Sequence, residues 1–295
     1  MDVWRINLKP GAQAGIDARE HCLTNGVVGV GWQIDYENGV ITGEYYQTLA
    51  QEEYGDTSWW PAWNALYNKM DIGDLVWTRD WDGIYYLARI TSEWLYDTSE
   101  NAAAADIVNV RKCDWVKVGT AEAVPGKLVN CFIPARTLQK VQDDTVLTFS
   151  MITYNQKTNS SQYPIPKLAG MDIYSLLSSE DCEDALGLYL QYTQDYMIIP
   201  STCKSHSIAY EYELIHRYSC QKAVVQVKNG YNSLNADDYS NLDEIVYLFT
   251  TKGNYLGACN EKVRFIDPEI IRQFLFKKTD LLPEKMRTWV NLFRS

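Results

Sequence analysis

Short runs of apolar, β-branched and aromatic residues, broken by Gly, Asp and Asn turns, mark strands at Val3–Leu8, Val27–Trp32, Leu75–Thr78, Ile84–Thr91, Ile107–Lys112 and Trp115–Val118. Helical spacing falls over residues 12–23 and 45–70, the second of which contains Trp59, Trp60 and Trp63. The first half therefore reads as a mixed, β-rich domain. The stretch from Tyr154 to Pro166 is polar, carries two prolines and has no apolar period, which marks a linker or long loop. The expected organisation is a domain over 1–150, a linker over 151–175 and a domain over 176–295. In the second domain Glu180–Gln194 reads as a helix with Ala185, Leu186, Leu188 and Tyr189 available to pack. Strands are expected near 196–200, 208–215 and 223–228, then at Tyr247–Thr250 and Val263–Ile266. Closing helices are expected at Pro268–Phe276 and Pro283–Phe293, each with proline near its start. The order of elements predicts an α+β first half and an α/β second half.

At 295 residues and 46% hydrophobic content the chain has material for one large or two ordinary cores. There is no run of eighteen apolar residues, and MDVWRINLKPG lacks the apolar core and cleavage site of a signal peptide. A soluble cytoplasmic protein with no membrane partner is expected. The seven cysteines (22, 113, 131, 182, 203, 220 and 259) form no CxxC pair, so they are expected to be reduced and mostly buried. The three histidines, at 21, 206 and 216, are too dispersed for a metal cluster and are read as structural. The net charge of −11 disfavours a wide phosphate-binding track. Its distribution is uneven: residues 1–150 carry −9 and residues 151–295 only −2, with basic positions such as Lys252, Lys262, Arg264 and Arg272 near the C-terminal end.

Candidate chemistry concentrates between Glu211 and Lys228. The segment reads as two strands joined by a polar turn, with Glu211 and Glu213 on one face of the first and Gln226 and Lys228 on one face of the second. A carboxylate and an amide oxygen suit Mg²⁺, and a neighbouring lysine suits an attacking water and a phosphate that gathers charge. Alternating polar residues on a strand also simply face solvent, and this pattern alone admits both readings.

The Gln226-x-Lys228 pair resembles the final motif of the PD-(D/E)XK nuclease superfamily, in the branch of Mrr-like and modification-dependent restriction enzymes. The resemblance covers about residues 176–276. It implies catalytic roles for Glu211, Gln226, Lys228 and Glu183, the last matching the family's helical acid. It also implies a Mg²⁺ (or Mn²⁺) ion held by Glu211, Gln226 and Glu183, with the Val227 carbonyl as a further oxygen. The chain has no Pro-Asp pair and glutamate stands where aspartate is usual, which leaves Glu213 open as the ligand in place of Glu211. Gly230 and a helix-like stretch from Asn235 fit the family's continuation.

In the first half, Gly26-Val-Val-Gly-Val-Gly-Trp32, Gly73-Asp-Leu-Val-Trp77 and Gly83-Ile-Tyr-Tyr-Leu-Ala-Arg-Ile90 resemble the EVE and YTH group of PUA-like domains, over roughly residues 1–145. These are small β-barrels that read modified bases. The resemblance implies base-binding roles for Trp32, Trp77 and Trp81, with Trp59 in a second aromatic group and Asp35 or Arg79 on a base edge or phosphate. Large aromatics in a small barrel equally serve as core. Joined, the two resemblances imply a PUA-like β-barrel followed by a PD-(D/E)XK-type α/β domain: a Mg²⁺-dependent endonuclease of prokaryotic defence that acts on nucleic acid with modified bases, DNA foremost. The alternatives are a non-catalytic reader and a nucleotide-sensing effector. Cutting both strands of a duplex calls for two active sites, which a symmetric homodimer supplies.

Overall fold

The strand runs of the first half pair into one six-stranded sheet in a computed structural model that describes residues 1–8, 16–37, 39–55, 59–133, 136–167, 171–204 and 210–294. Tight Cα packing divides the chain into two units, Met1–Pro166 and Lys167–Ser295. In the first, the strands are β1 (Val3–Ile6), β2 (Val27–Val30), β3 (Leu75–Arg79), β4 (Tyr85–Tyr96), β5 (Asn109–Gly119) and β6 (Leu138–Lys140). Their order is β2-β5-β4-β3-β1-β6, antiparallel except for the parallel β1–β3 pair. The helices are α1 (Ala18–Asn25), α2 (Gly43–Tyr54), α3 (Trp59–Asn64), α4 (Glu100–Ala104), α5 (Gly126–Asn130) and α6 (Asp144–Thr158).

Several sequence expectations shift. The two strands expected at 107–112 and 115–118 are one strand, β5, paired along its length with β4. The strand expected to reach Trp32 stops at Val30, because Trp32 has a left-handed backbone, φ +63°. The helix expected over 45–70 is broken at Gly55, φ +58°. Its later part, α3, runs into a π-helical turn at Ala65–Lys69 closed by Met70 N–H on the Ala65 carbonyl. Residues 12–15 of the first expected helix lie outside the described residues. The segment read as a linker from Tyr154 is helical through Thr158, with Tyr154 and Tyr163 buried. That helix, α6, eluded the periodicity because it is buried on most sides and rich in β-branched residues, so it shows neither an amphipathic stripe nor strong helix propensity.

A cluster of rings fixes one side of this unit. Tyr46, Trp59 and Trp63 are fully buried, Trp63 stacks on Tyr67 at 4.7 Å, and Trp94 meets both Trp63 and Tyr67 edge-on. Gly43, at the start of α2, lies flat against Tyr67, and a Cβ there would overlap its ring. Gly43→Ala is therefore expected to destabilise this unit by ~1–3 kcal/mol through overpacking. Urea unfolding checks this, and the cost should shrink when Tyr67→Ala is made in the same chain.

The second unit contains β7 (Tyr196–Ile198), β8 (Tyr212–His216), β9 (Lys222–Lys228), β10 (Leu234–Asn235), β11 (Ile245–Thr250), β12 (Tyr255–Leu256) and β13 (Val263–Phe265). Its helices are α7 (Ser179–Thr193), α8 (Pro268–Lys277) and α9 (Glu284–Arg294). The main sheet has the order β13-β11-β9-β8-β7. Strands β7, β8 and β9 form an antiparallel meander, and β11 and β13 then add parallel to β9. The stretch from Asn235, read as helical, is instead the end of β10 followed by a 3₁₀ turn at Ala236–Tyr239. Leu234, Ala236 and Tyr239 cover Val224, Val246, Leu248 and Val263 of the sheet. Of the strand expected at 208–215, residues 208 and 209 lie outside the described residues.

Only Cys22, Cys113 and Cys182 are buried; Cys131 is half-buried and Cys203, Cys220 and Cys259 are exposed, which corrects the expectation that most are hidden. His21 and His216 make local contacts, to Asn25 and to the Tyr218–Ser219 turn, and His206 lies outside the described residues. Among the described residues, no helix is long and apolar enough to cross a membrane.

Candidate functional site

The β8–β9 register pairs Tyr212 with Val225 and Glu213 with Val224, so Glu211, one step earlier, stands across from Gln226. The Glu211 N–H extends the ladder to the Val225 carbonyl at 2.7 Å. Gln226 is 2% exposed, and its amide Nε2 donates to Glu211 Oε1 at 2.6 Å and to the Val227 carbonyl at 3.2 Å. Lys228, two residues on and on the same strand face, places Nζ 3.8 Å from the same Oε1. One carboxylate oxygen is thus shared by an amide and an ammonium.

Glu183 comes to this group from α7. That helix starts with a capping box in which Ser178 and Asp181 bond reciprocally, and Lys285 of α9 holds Asp181 at 2.8 Å and Asp184 at 3.6 Å. Gly187 lets α7 approach β8: a Cβ there would stand 3.1 Å from the Tyr212 hydroxyl, which itself donates to the Glu183 carbonyl at 2.9 Å. Burial and the nearby Glu211 charge push the Glu183 carboxyl up to about 7, with the Lys228 ammonium drawing it back. The side chain therefore lies within electrostatic reach of both. Glu213 does not join this group. Its carboxylate accepts from the Tyr210 hydroxyl at 3.0 Å and its N–H donates to Thr202 Oγ1.

The oxygens on offer to a cation are the Glu211 and Glu183 carboxylates, the Gln226 amide and the Val227 carbonyl, hard donors of the kind Mg²⁺ or Mn²⁺ takes. Mutual repulsion of two carboxylates in a partly desolvated site is what a divalent ion relieves. Among the described residues, no three His, Cys, Asp or Glu side chains gather to hold a metal, so two of the four donors here are neutral. Gln226 also presents its nitrogen, not its oxygen, to Glu211. The set fits a weakly held hard cation once that amide turns over.

The first unit carries a cavity of about 390 Å³, in the size range of small-ligand pockets. Trp32 and Tyr54 supply aromatic surface, Leu8, Val30 and Ile107 aliphatic surface, and Asn7, Thr137 and Asp106 polar groups. Two of these residues hold positive φ, Trp32 at +63° and Asp106 at +53°, a conformation that costs most for a bulky side chain. Gly31 lies against the Asp106 carboxylate so closely that a Cβ would overlap it. Burial pushes the Asp106 carboxyl above the ordinary range, with the Gln33 side chain and the Trp32 N–H drawing it back; the Gln33 amide itself donates to the Ala103 carbonyl at 2.6 Å.

Of the six residues expected to bind a base, only Trp32 lines this cavity. Trp77 is fully buried and donates to Ser150 Oγ at 2.9 Å; Trp59 is fully buried in the ring cluster and donates to the Gly55 carbonyl. Their apolar area is spent on the core. Trp81 is exposed, but its ring lies 3.9 Å from the Arg19 guanidinium and its Nε1–H donates to Asp17, the N-cap of α1. It ties a turn to that helix. Arg79 stands over Phe132 at 5.4 Å, and Asp35 is exposed away from the lining. Asp106, Tyr54 and Asn7 were not found by sequence reasoning, because nothing in their spacing connects them to Trp32. The one available signal was Gly29-Val-Gly31, whose bare backbone marks a close approach.

A family model described as Domain of unknown function (DUF8426) matches residues 4–140, a span that includes every residue lining the cavity and none of the Glu211–Lys228 group. No curated protein and no solved structure matches the chain.

Proposed function

We propose that the chain is a Mg²⁺-dependent endonuclease of restriction type, with a PUA-like base-reading barrel in its first unit and a PD-(D/E)XK-type nuclease core in its second, acting on DNA with modified bases. The observation that carries the reading is the contact of Gln226 and Lys228 with one Glu211 oxygen, with Glu183 in electrostatic reach. The sequence of elements supports it: helix α7, the β7–β8–β9 meander, then β11 parallel to β9.

A bound Mg²⁺ supplies charge compensation at the phosphate and a more acidic water. Glu211 and Glu183 would hold it, and Gln226, buried, positions the Glu211 carboxylate through its amide Nε2. Lys228 orients the attacking water and offsets charge on the phosphate oxygens. Hydrolysis forms a bond from the water oxygen to phosphorus and breaks one phosphorus–oxygen ester bond; the water protons end on the leaving oxygen and in solvent.

Purified protein with Mg²⁺ is expected to cut duplexes carrying modified bases and spare plain ones. EDTA should stop cleavage, and Glu211→Gln should remove it without loss of fold. Intact modified and plain duplexes under all conditions overturn the reading. The orientation of the Gln226 amide, which satisfies Glu211 without any cation, favours a second reading: a non-catalytic reader. Calorimetry separates the two, since a reader binds modified duplex equally with and without Mg²⁺ and leaves it whole.

A further inference from the structure

We infer that the first-unit cavity selects a guanine-type base, one that presents two adjacent hydrogen-bond donors to Asp106. The inference rests on reading the first unit as a base-binding domain and names which base it takes.

An ionised carboxylate only accepts hydrogen bonds, through two oxygens with about four lone-pair sites. Asp106 lines the cavity, and its carboxylate is set against the backbone of Gly31, another lining residue. Among the described lining residues none is Lys, Arg or His, so no described lining side chain offers a phosphate a counter-charge. Charge thus points away from a phosphate group in this cavity and toward a flat ring with N–H groups. Trp32 and Tyr54 offer π-faces for such a ring.

The ring's edge follows from the two oxygens. Guanine presents N1–H and its 2-amino group side by side, a match for a carboxylate. Adenine and cytosine present a donor beside an acceptor, which places a ring nitrogen lone pair against a carboxylate oxygen. Uracil and thymine present one donor flanked by two carbonyls. A desolvated acceptor left without a donor is costly, so the wrong edges are rejected. Two features keep the carboxylate in place: the left-handed backbone of Asp106 and the bare Gly31 beneath it. Restoring a Cβ at Gly31 would displace it.

The test is binding of free guanosine, adenosine, cytidine and uridine to the full chain, followed by tryptophan fluorescence in EDTA, which keeps any cleavage out of the measurement. Guanosine is expected to bind at least tenfold more tightly than the other three. Asp106→Asn, near-isosteric, replaces one acceptor by a donor and suits the donor–acceptor edge that asparagine takes on adenine. It should weaken guanosine at least tenfold and bring adenosine or cytidine level with it or ahead. The wild-type ranking stands as a measurement even if the variant fails to fold, and a thermal melt reports whether it does. Binding of several nucleosides with no guanosine preference overturns the inference and leaves the base-reading proposal intact. An unchanged ranking in well-folded Asp106→Asn does the same. Absence of binding by every nucleoside overturns the inference, whereas the base-reading proposal stands or falls on the cleavage of modified against plain duplex.

Discussion

If the chain is the endonuclease proposed, replacing Lys228 by alanine is expected to lower the cleavage rate of modified duplex by about 10²–10³-fold, corresponding to ~3–4 kcal/mol of lost transition-state stabilisation. The ammonium stands 3.8 Å from Glu211 with its side chain 42% exposed, so its Coulomb contribution to folding is small and screened by solvent. Stability should move by no more than ~0.5 kcal/mol. Single-turnover cleavage with saturating protein, run beside a urea melt, reads both quantities on the same sample. A rate equal to wild type removes Lys228 from the reaction. A rate loss matched by a large loss of stability reassigns it to the fold. The contrast with Glu211 is informative: truncating Glu211 to alanine would leave the buried Gln226 amide without its acceptor, whereas changing Lys228 does not.

A second large effect is expected on the helix that carries Glu183. Lys285→Met should destabilise the second unit by ~3–5 kcal/mol, because it leaves the Asp181 carboxylate buried without its counter-charge. Asp181 is 4% exposed and Lys285 8% exposed, and 2.8 Å separates their charged atoms. Burial alone lowers the Lys285 pKa, but the Asp181 charge and then the Asp184 charge outweigh it, and the net shift is upward. A lysine whose folded pKa is raised contributes stability that is complete below its unfolded value, 10.5, and is lost as pH rises through the folded value. Wild type should therefore show no loss from this pair at neutral pH and a loss only in strong alkali. The variant should be weak at pH 7 already. Urea unfolding by circular dichroism measures the difference, and Asp181→Asn combined with Lys285→Met should recover much of it. Since Asp181 sits half a turn before Glu183, a stability loss without any change in cleavage would show that α7 holds Glu183 without this anchor.

The legible parts of the fold are those whose chemistry is local. The β8–β9 hairpin was readable because alternation put Val225 and Val227 on the face opposite Gln226 and Lys228. Helix α8 was readable because Pro268 opens it, and the structure adds Asp267 as its cap. What stayed hidden depends on tertiary contact. Helix α6 is buried on most sides and has no stripe. The tryptophans look alike in sequence, and only packing separates Trp77 in the core from Trp32 beside the cavity and Trp81 on the surface. The choice between Glu211 and Glu213 turns on a two-residue shift of strand register, which keeps the same face and which composition does not encode. Asp106 meets Gly31 only because β2 and β5 lie side by side.

The ring cluster around Trp63 also gives the two units separate optical reporters. Trp59, Trp60, Trp63 and Trp94 lie within 5.5–6.3 Å of Trp63 or one another, close enough for their transitions to couple in near-ultraviolet dichroism. The second unit holds one tryptophan, Trp289, with no comparable stack of indoles around it in the sequence. Loss of the coupled bands thus follows melting of the first unit alone, while far-ultraviolet signal follows both, and a single temperature ramp distinguishes independent from concerted unfolding.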